Sequence, residues 1–183
     1  MLSVVAILAV LIEAVSGEAI PFEMVDQADF LSRHNEIRGR TDALNIECMT
    51  GWSATLAAAA AAQAARCNLI APANDERGYS FHKSSAKLTP TQILQEHWNV
   101  YVNAYNYIQG TCDTALATNE QCNSALQVML WFEGGDFGCA REKCSDSFYT
   151  VCAMLIQDHL LSLLAFLHAH CADQLSPYAG KNY

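Results

Sequence analysis

The sequence predicts one domain, α+β or layered α-β-α, stapled by disulfides. Three observations carry that reading. Helical patterns come first and short β-rich runs follow, with helix-like sequence again near the end. The composition is globular, 52% hydrophobic and 16% charged over 183 residues, a length at which a domain hides about two-thirds of its unfolded surface. All 8 cysteines lie beyond a leader-like N-terminus, and an even count in an exported chain implies four bridges and an oxidising compartment.

The elements follow in chain order. Residues 1–17 read as a signal peptide, leaving a domain over residues 18–183. Val4, Val5, Ile7, Leu8, Val10, Leu11 and Ile12 make an apolar run too short to span a bilayer, and Val15, Ser16 and Gly17 are small enough for cleavage before Glu18. The leader departs from the usual pattern in having no positive charge near Met1. Asp26 to Arg38 forms a first helix, with Val25, Phe30, Leu31 and Ile37 near one face and Gly39 at its end. Ser53 to Cys67 forms a second, and its run Ala57 to Ala62 suits close packing. Pro72, Asn74 and Gly78 mark a loop that extends past His82.

Thr89 as cap, Pro90 at the first helical position and Gln92 three residues after the cap start a third helix. It carries Ile93, Leu94, His97, Trp98, Tyr101 and Tyr105 and is expected to end near Gly110. Cys112 and Cys122 bracket a polar loop, and a fourth helix is expected from Asn123 to Phe132. Two strands follow, Phe137 to Ala140 and Phe148 to Met154, rich in aromatic and β-branched residues. Residues 160–172 hold an apolar, Leu-rich insertion flanked by His159, His168 and His170, too short for a membrane span.

Composition also excludes partners. A net charge of −9 repels phosphate backbones and anionic lipid surfaces, so neither nucleic-acid binding nor stable membrane insertion is expected. No Cys-x-x-Cys pair suggests a structural zinc, no Asn-x-Ser/Thr acceptor is present, and no Gly-x-Ser-x-Gly element or isolated reactive cysteine points to a nucleophilic enzyme.

Short motifs then add a resemblance. His34-Asn35-Glu36-Ile37-Arg38 is followed by Trp52-x-x-x-Leu56-Ala57-x-x-Ala60 and Ala64-x-x-Cys67; Trp98, Tyr105, Gln127, Trp131, Gly138-Cys139 and Val151-Cys152 follow in order. Together these resemble the CAP superfamily, which includes cysteine-rich secretory, venom-allergen-like and pathogenesis-related proteins. The resemblance runs from about Phe30 to Met154, with Ser176-Pro177-Tyr178-Ala179-Gly180 similar to the family's end. It implies a three-layer α-β-α sandwich, secretion to the extracellular space, and the pairs Cys67–Cys144 and Cys139–Cys152. Cys112 and Cys122 are close enough to close a local loop, which leaves Cys48 with Cys171.

The resemblance further implies a cleft with two histidines and two acidic residues that can bind a divalent metal. Residue by residue, those four positions hold Ala71, Tyr79, Tyr101 and Ser124, or Ala125 if a one-residue gap precedes Trp131. Alanine and tyrosine are not zinc ligands at neutral pH, and tyrosine, with a reference pKa of about 10, is a poor general base there. The expectation is therefore a secreted, non-catalytic binding protein with no metal and no cofactor. Its ligand would be an apolar small molecule, a fatty acid or sterol, or else an extracellular protein. Trp98, Tyr105 and Tyr107 are candidates to line an apolar groove, although third-helix aromatics are needed for core packing in any case. His34 reads as structural. His82, Glu96 and His97 are the candidates for a relocated metal-dependent hydrolase site. Calorimetric titration with zinc is expected to show no stoichiometric binding; a tight one-to-one isotherm abolished by replacing His82 or His97 would reverse that reading.

Overall fold

The computed structural model describes residues 17–40, 46–106, 109–130 and 135–155 and, of residues 127–130, the backbone only. The leader up to Ser16, Tyr107, Trp131, the side chain of Gln127, the 160–172 insertion with its flanking histidines, Cys171 and the tail at 176–180 lie outside the described residues.

The chain runs β1 (Glu18–Ile20), α1 (Met24–Arg38), β2 (Met49–Trp52), α2 (Ala54–Ala64), β3 (Arg77–Ser84), α3 (Pro90–Ala104), β4 (Tyr105–Asn106), β5 (Thr111–Cys112), α4 (Asn119–Leu130), β6 (Gly135–Cys144) and β7 (Ser147–Leu155). The main sheet has the order β1-β6-β7-β3. One edge of β6 is shared by two short strands: β1 pairs antiparallel with Arg141 to Lys143, and β2 pairs parallel with Gly135 to Phe137. The other edge pairs antiparallel with β7, which in turn pairs antiparallel with β3.

Strand alternation separates two cores. Phe137, Cys139, Cys152 and Met154 pack with Phe30 and Ile37 of α1 and Ile93 and Leu94 of α3. Val151, Ala153, Tyr79 and Phe81 pack with Leu56, Ala60 and Ala64 of α2. The result is the expected three-layer α-β-α sandwich.

The first-helix motif acts structurally. Asn35 behaves as an extra strand partner for β2: its Nδ2 donates to Met49 O at 3.0 Å, and its Oδ1 accepts from Met49 N at 2.7 Å. Arg38, buried, donates from Nε to Glu47 O at 2.8 Å. His34 is buried with Nδ1 3.0 Å from Phe30 O and its ring 4.8 Å from Phe137. Burial, with the nearby Arg38 charge, pushes its pKa down to about 3, so it sits in the core as a neutral ring.

Among the described residues the bridges Cys67–Cys144, Cys112–Cys122 and Cys139–Cys152 form, the pairs expected for those six cysteines. Cys48 is also disulfide-bonded. Cys139 and Cys152 face each other across the β6–β7 register, and Cys67–Cys144 ties the end of α2 to the end of β6 over a separation of 77 residues.

Several boundaries differ from expectation. Thr89 and Gln92 do form a reciprocal capping box with Pro90 in the first turn. The third helix, however, ends at Ala104, not near Gly110, because Tyr105 and Asn106 turn extended and pair with Cys112 and Thr111. The fourth helix begins at Asn119, four residues early, because Thr118 and Gln121 cap it: Gln121 N donates to Thr118 Oγ1 and Thr118 N to Gln121 Oε1. The loop expected through His82 is strand β3, and the two expected strands lengthen to β6 and β7.

At Gly138 the start of helix α2 approaches β6 backbone to backbone. A Cβ placed on Gly138 would lie 2.1 Å from Ala57 N and 2.5 Å from Ser53 O. These are backbone atoms and cannot turn aside. Gly138→Ala is expected to destabilise the fold by about 2–3 kcal/mol, a drop of roughly 5–10 °C in melting temperature. Thermal unfolding of the oxidised protein checks this, and an unchanged melting temperature would contradict the packing.

Candidate ligand cleft

Strand β3 has a free outer edge, and α4 packs against it. Phe81 N, pointing away from β7, donates to Ser124 Oγ of α4 at 2.9 Å. This one contact gives a buried backbone donor its acceptor and fixes α4 along the edge. Two cavities flank it. One, of about 250 Å³, lies between β3, α3 and the start of α4, where Leu69, Phe81 and Val100 form apolar walls around His82, Glu96 and His97. The other, of about 350 Å³, runs along the same edge past Ala71, Tyr79, Asn123 and Ser124. They share Leu69, Phe81 and Glu120.

The structure thus brings together three of the four positions that the resemblance marks. Ala71 lies in the exposed loop before β3, Tyr79 is buried on β3, and Ser124 is buried on α4. Tyr79 forms a wall of the second cavity and leaves the space open. Its ring stacks on Phe81 at 6.1 Å, Arg77 lies over it at 5.9 Å, and its hydroxyl donates to Asp75 Oδ2 at 2.9 Å. Burial and that hydrogen bond raise its pKa to about 12, so the phenol stays protonated.

Tyr101 does not join them. It tilts over Trp98 at 5.7 Å, stacks on Tyr105 at 6.3 Å, and packs with Trp98 against the core of Phe30, Ile93 and Leu94. Trp98 is thereby core packing, and Tyr105 has left the helix for β4.

The second group of candidates is assembled. His82 lies on β3, not in a loop, and faces α3. Its Nε2 is 2.6 Å from Glu96 Oε2. A carboxylate only accepts, so Nε2 carries a proton and donates to Glu96. Nδ1 is buried with no partner among the described residues. The His97 ring stands 5.7 Å away, edge to face. Burial, then the neighbouring His82 and His34, push the His97 pKa down to about 3. The cavity therefore offers the neutral His97 imidazole, the His82–Glu96 pair and apolar walls. That set can orient a hydrogen-bonding head on an apolar body. Among the described residues no group of three or more His, Cys, Asp or Glu is arranged to hold a metal ion, and no helix is long and apolar enough to cross a membrane.

Sequence reasoning missed Leu69, Phe81, Val100, Thr118 and Glu120 as cleft residues. Thr118-x-x-Gln121 repeats the cap pattern of Thr89-x-x-Gln92 and would have placed the start of α4 here. Leu69 and Val100 carry no comparable signal.

Comparison with known proteins gives two findings. The profile of the cysteine-rich secretory protein family, CAP, matches residues 31–154. Among solved structures, the Schistosoma mansoni venom allergen-like protein 4 (SmVAL4) is similar, with a TM-score of 0.53 at 21% identity, covering 73% of this chain and 89% of its own. Hookworm platelet inhibitor gives 0.54 at 16%, covering 90% and 87%. NaASP2, solved with Zn²⁺, gives 0.52 at 18%, covering 72% and 79%. At these identities the likeness is one of fold. The search of curated proteins returned no match.

His34 and His97 set a pH dependence. Unfolded, each ring binds a proton near pH 6.5; folded, only near 3. The unfolded state therefore holds more protons between those values, and stability falls as pH falls through that window. One such ring accounts for about 3 kcal/mol by pH 4. Urea midpoints are expected to be flat above pH 7 and to drop steadily below pH 6.5. His97→Gln should flatten the slope; an unchanged slope would show that His97 is protonated in the fold.

Proposed function

Because the chain belongs to the cysteine-rich secretory protein family, we propose that it is a secreted, non-catalytic binding protein whose cleft takes up an apolar small molecule, a fatty acid or a sterol. The observation that carries the reading is the pair of adjoining cavities along the β3 edge, which share Leu69, Phe81 and Glu120. A closed, tyrosine-plugged cleft would have argued for a purely structural protein. Tyr79 instead lies flat against Phe81, held by Asp75 and Arg77.

Export to the extracellular space is supported by the leader pattern of residues 1–17 and by bridged cysteines. The non-catalytic reading rests on the side chains available. Ala71, Tyr79 and Ser124 include no group that titrates near neutral pH, and His97 is held neutral by burial. An apolar body would lie on Leu69, Phe81 and Val100, each buried CH₂ contributing about 0.8 kcal/mol before ordering costs. Its polar end would meet the His82–Glu96 pair.

A second reading, recognition of an extracellular protein, is favoured by one neighbour of the same fold, a hookworm platelet inhibitor. The two are separated by equilibrium binding of a fluorescent fatty acid and a labelled sterol to the oxidised protein. Saturable binding of at least one is expected. Leu69→Trp, which fills the shared wall, should weaken it about tenfold or more. His82→Ala should weaken it about fivefold, the value of one hydrogen bond near 1 kcal/mol. If neither probe binds, the apolar-ligand reading fails and the protein-partner reading replaces it.

A further inference from the structure

The Gly17–Glu18 junction meets the side chain of Glu142. Glu142 is 6% exposed on β6 and stands opposite Ala19 in the β1–β6 register. Its side chain lies across Gly17: a Cβ built on that glycine would sit 2.4 Å from Glu142 Cγ and 2.5 Å from Oε1. The nearby cations are turned elsewhere. Arg141, on the opposite face of β6, bonds to Leu88 O and Thr150 Oγ1 and lies over the Phe22 ring. Lys83 lies over the ring of Tyr149, the cross-strand neighbour of Glu142. Among the described residues no ion pair or hydrogen bond reaches the Glu142 carboxylate. Burial, and then the charge of Glu18, push its pKa up. A carboxylate on a largely buried side chain, with no counter-charge, costs the fold part of its hydration.

We propose that removal of the leader supplies the missing partner: hydrolysis of the Gly17–Glu18 peptide bond frees an α-ammonium on Glu18 that pairs with the Glu142 carboxylate and locks β1 onto β6. The inference rests on the exported reading above. One water is consumed; Gly17 leaves as the carboxylate end of the leader, and Glu18 keeps the nitrogen as an ammonium. The nitrogen of Glu18 is only about 2.4 Å from the Gly17 Cα, the atom that Glu142 covers, so a small rotation of the carboxylate completes the contact. Before cleavage the same nitrogen is a neutral amide. β1 is three residues long, so a charge pair at its first residue is a large part of what holds it, and it covers the β6 edge at Arg141 to Lys143.

The full chain is secreted from an oxidising host and its N-terminus read by intact mass; the expected start is Glu18. Glu142→Gln is then made in two backgrounds, one starting at Glu18 and one carrying an uncleaved extension before Gly17. In the Glu18-start chain the substitution should lower the melting temperature by about 2–4 °C. In the extended chain it should raise it or leave it unchanged, because there it relieves an unpaired charge. A structural role unrelated to the ammonium would give the same sign and size in both, and that result overturns the proposal. If Glu142→Gln fails to fold, the α-amine of the wild-type Glu18-start chain is titrated by NMR; a pKa clearly above the reference of about 7.7–8.0 is expected, and the reference value itself overturns the pairing. Secretion with cleavage elsewhere sinks this proposal but leaves export standing, whereas a chain retained with its leader sinks export.

Discussion

Helix α2 and strand β6 meet backbone to backbone at Gly138, and the rest of the architecture is arranged around that contact. Ser53 provides three of the fixings. Its N–H donates to Phe137 O at 2.8 Å, its carbonyl accepts from Ala57 N–H, and its hydroxyl caps the helix through Leu56 N–H. The cap is thus part of the sheet as well as the start of the helix. The unbroken alanine run supplies a helix thin enough for this approach, with Ala60 and Ala64 wholly buried against the strands. Because the layer is thin, Tyr79 and Phe81 can share the same core with Leu56, and one face of β3 is closed. The Cys67–Cys144 bridge then holds the far end of the helix to the far end of β6, so α2 is clamped at both ends.

The opposite layer is held by different means. Asn35 and Arg38 dock α1 onto the β2 segment through hydrogen bonds to its backbone, and Asp29 of α1 accepts from Thr91 at the start of α3. These bonds position α3, which carries Glu96 and His97 to the face of β3 opposite α2. With both faces of β3 covered and α4 fixed to its outer edge by the Phe81–Ser124 bond, the cavities lie along that edge. The cleft follows from packing two layers of unequal thickness on an edge strand, and its lining mixes residues from loop, strand and both neighbouring helices.

That construction explains what the sequence disclosed. The capping residues Thr89 and Gln92, the alanine run and the strand Phe148 to Met154, buried on both faces but rich in aromatic and β-branched residues, carry local signals, and each was legible. Arg77–Ser84 was not, although Tyr79, Ser80, Phe81 and His82 alternate apolar and polar, because Pro72, Asn74 and Gly78 are turn residues and outweigh so short an alternation. The end of α3 was misplaced because Tyr105 continues a helical aromatic spacing, while the Cys112–Cys122 bridge and the pairing with Thr111 and Cys112 pull it into a strand. Of the candidate site, His82, Glu96 and His97 were visible as residue types, but their meeting depends on β3 being a strand. Leu69 and Val100 became cleft walls only through tertiary packing.

The polar groups that remain in the cleft follow a consistent electrostatic pattern. Burial removes charge from the His97 ring, and Tyr79 is held protonated. The first cavity is lined by the Glu96 carboxylate, which is half-exposed and accepts from the His82 N–H, and the second by Arg77, which is paired with Asp75. A fixed carboxylate beside neutral rings repels an anionic head entering from solvent and accepts a hydroxyl donor at much lower cost. Glu120, shared by both cavities, adds a second acidic side chain. Lys83, which also lines the first cavity, has its ammonium placed over Tyr149. Within the apolar class, this balance favours an uncharged, hydroxyl-bearing molecule such as a sterol over an ionised fatty acid. Competition between the two probes, repeated at raised salt, separates them: the sterol should bind more tightly, and salt should narrow the gap by screening the carboxylates. A fatty acid that wins at low salt would mean that Lys83 leaves Tyr149 to meet it.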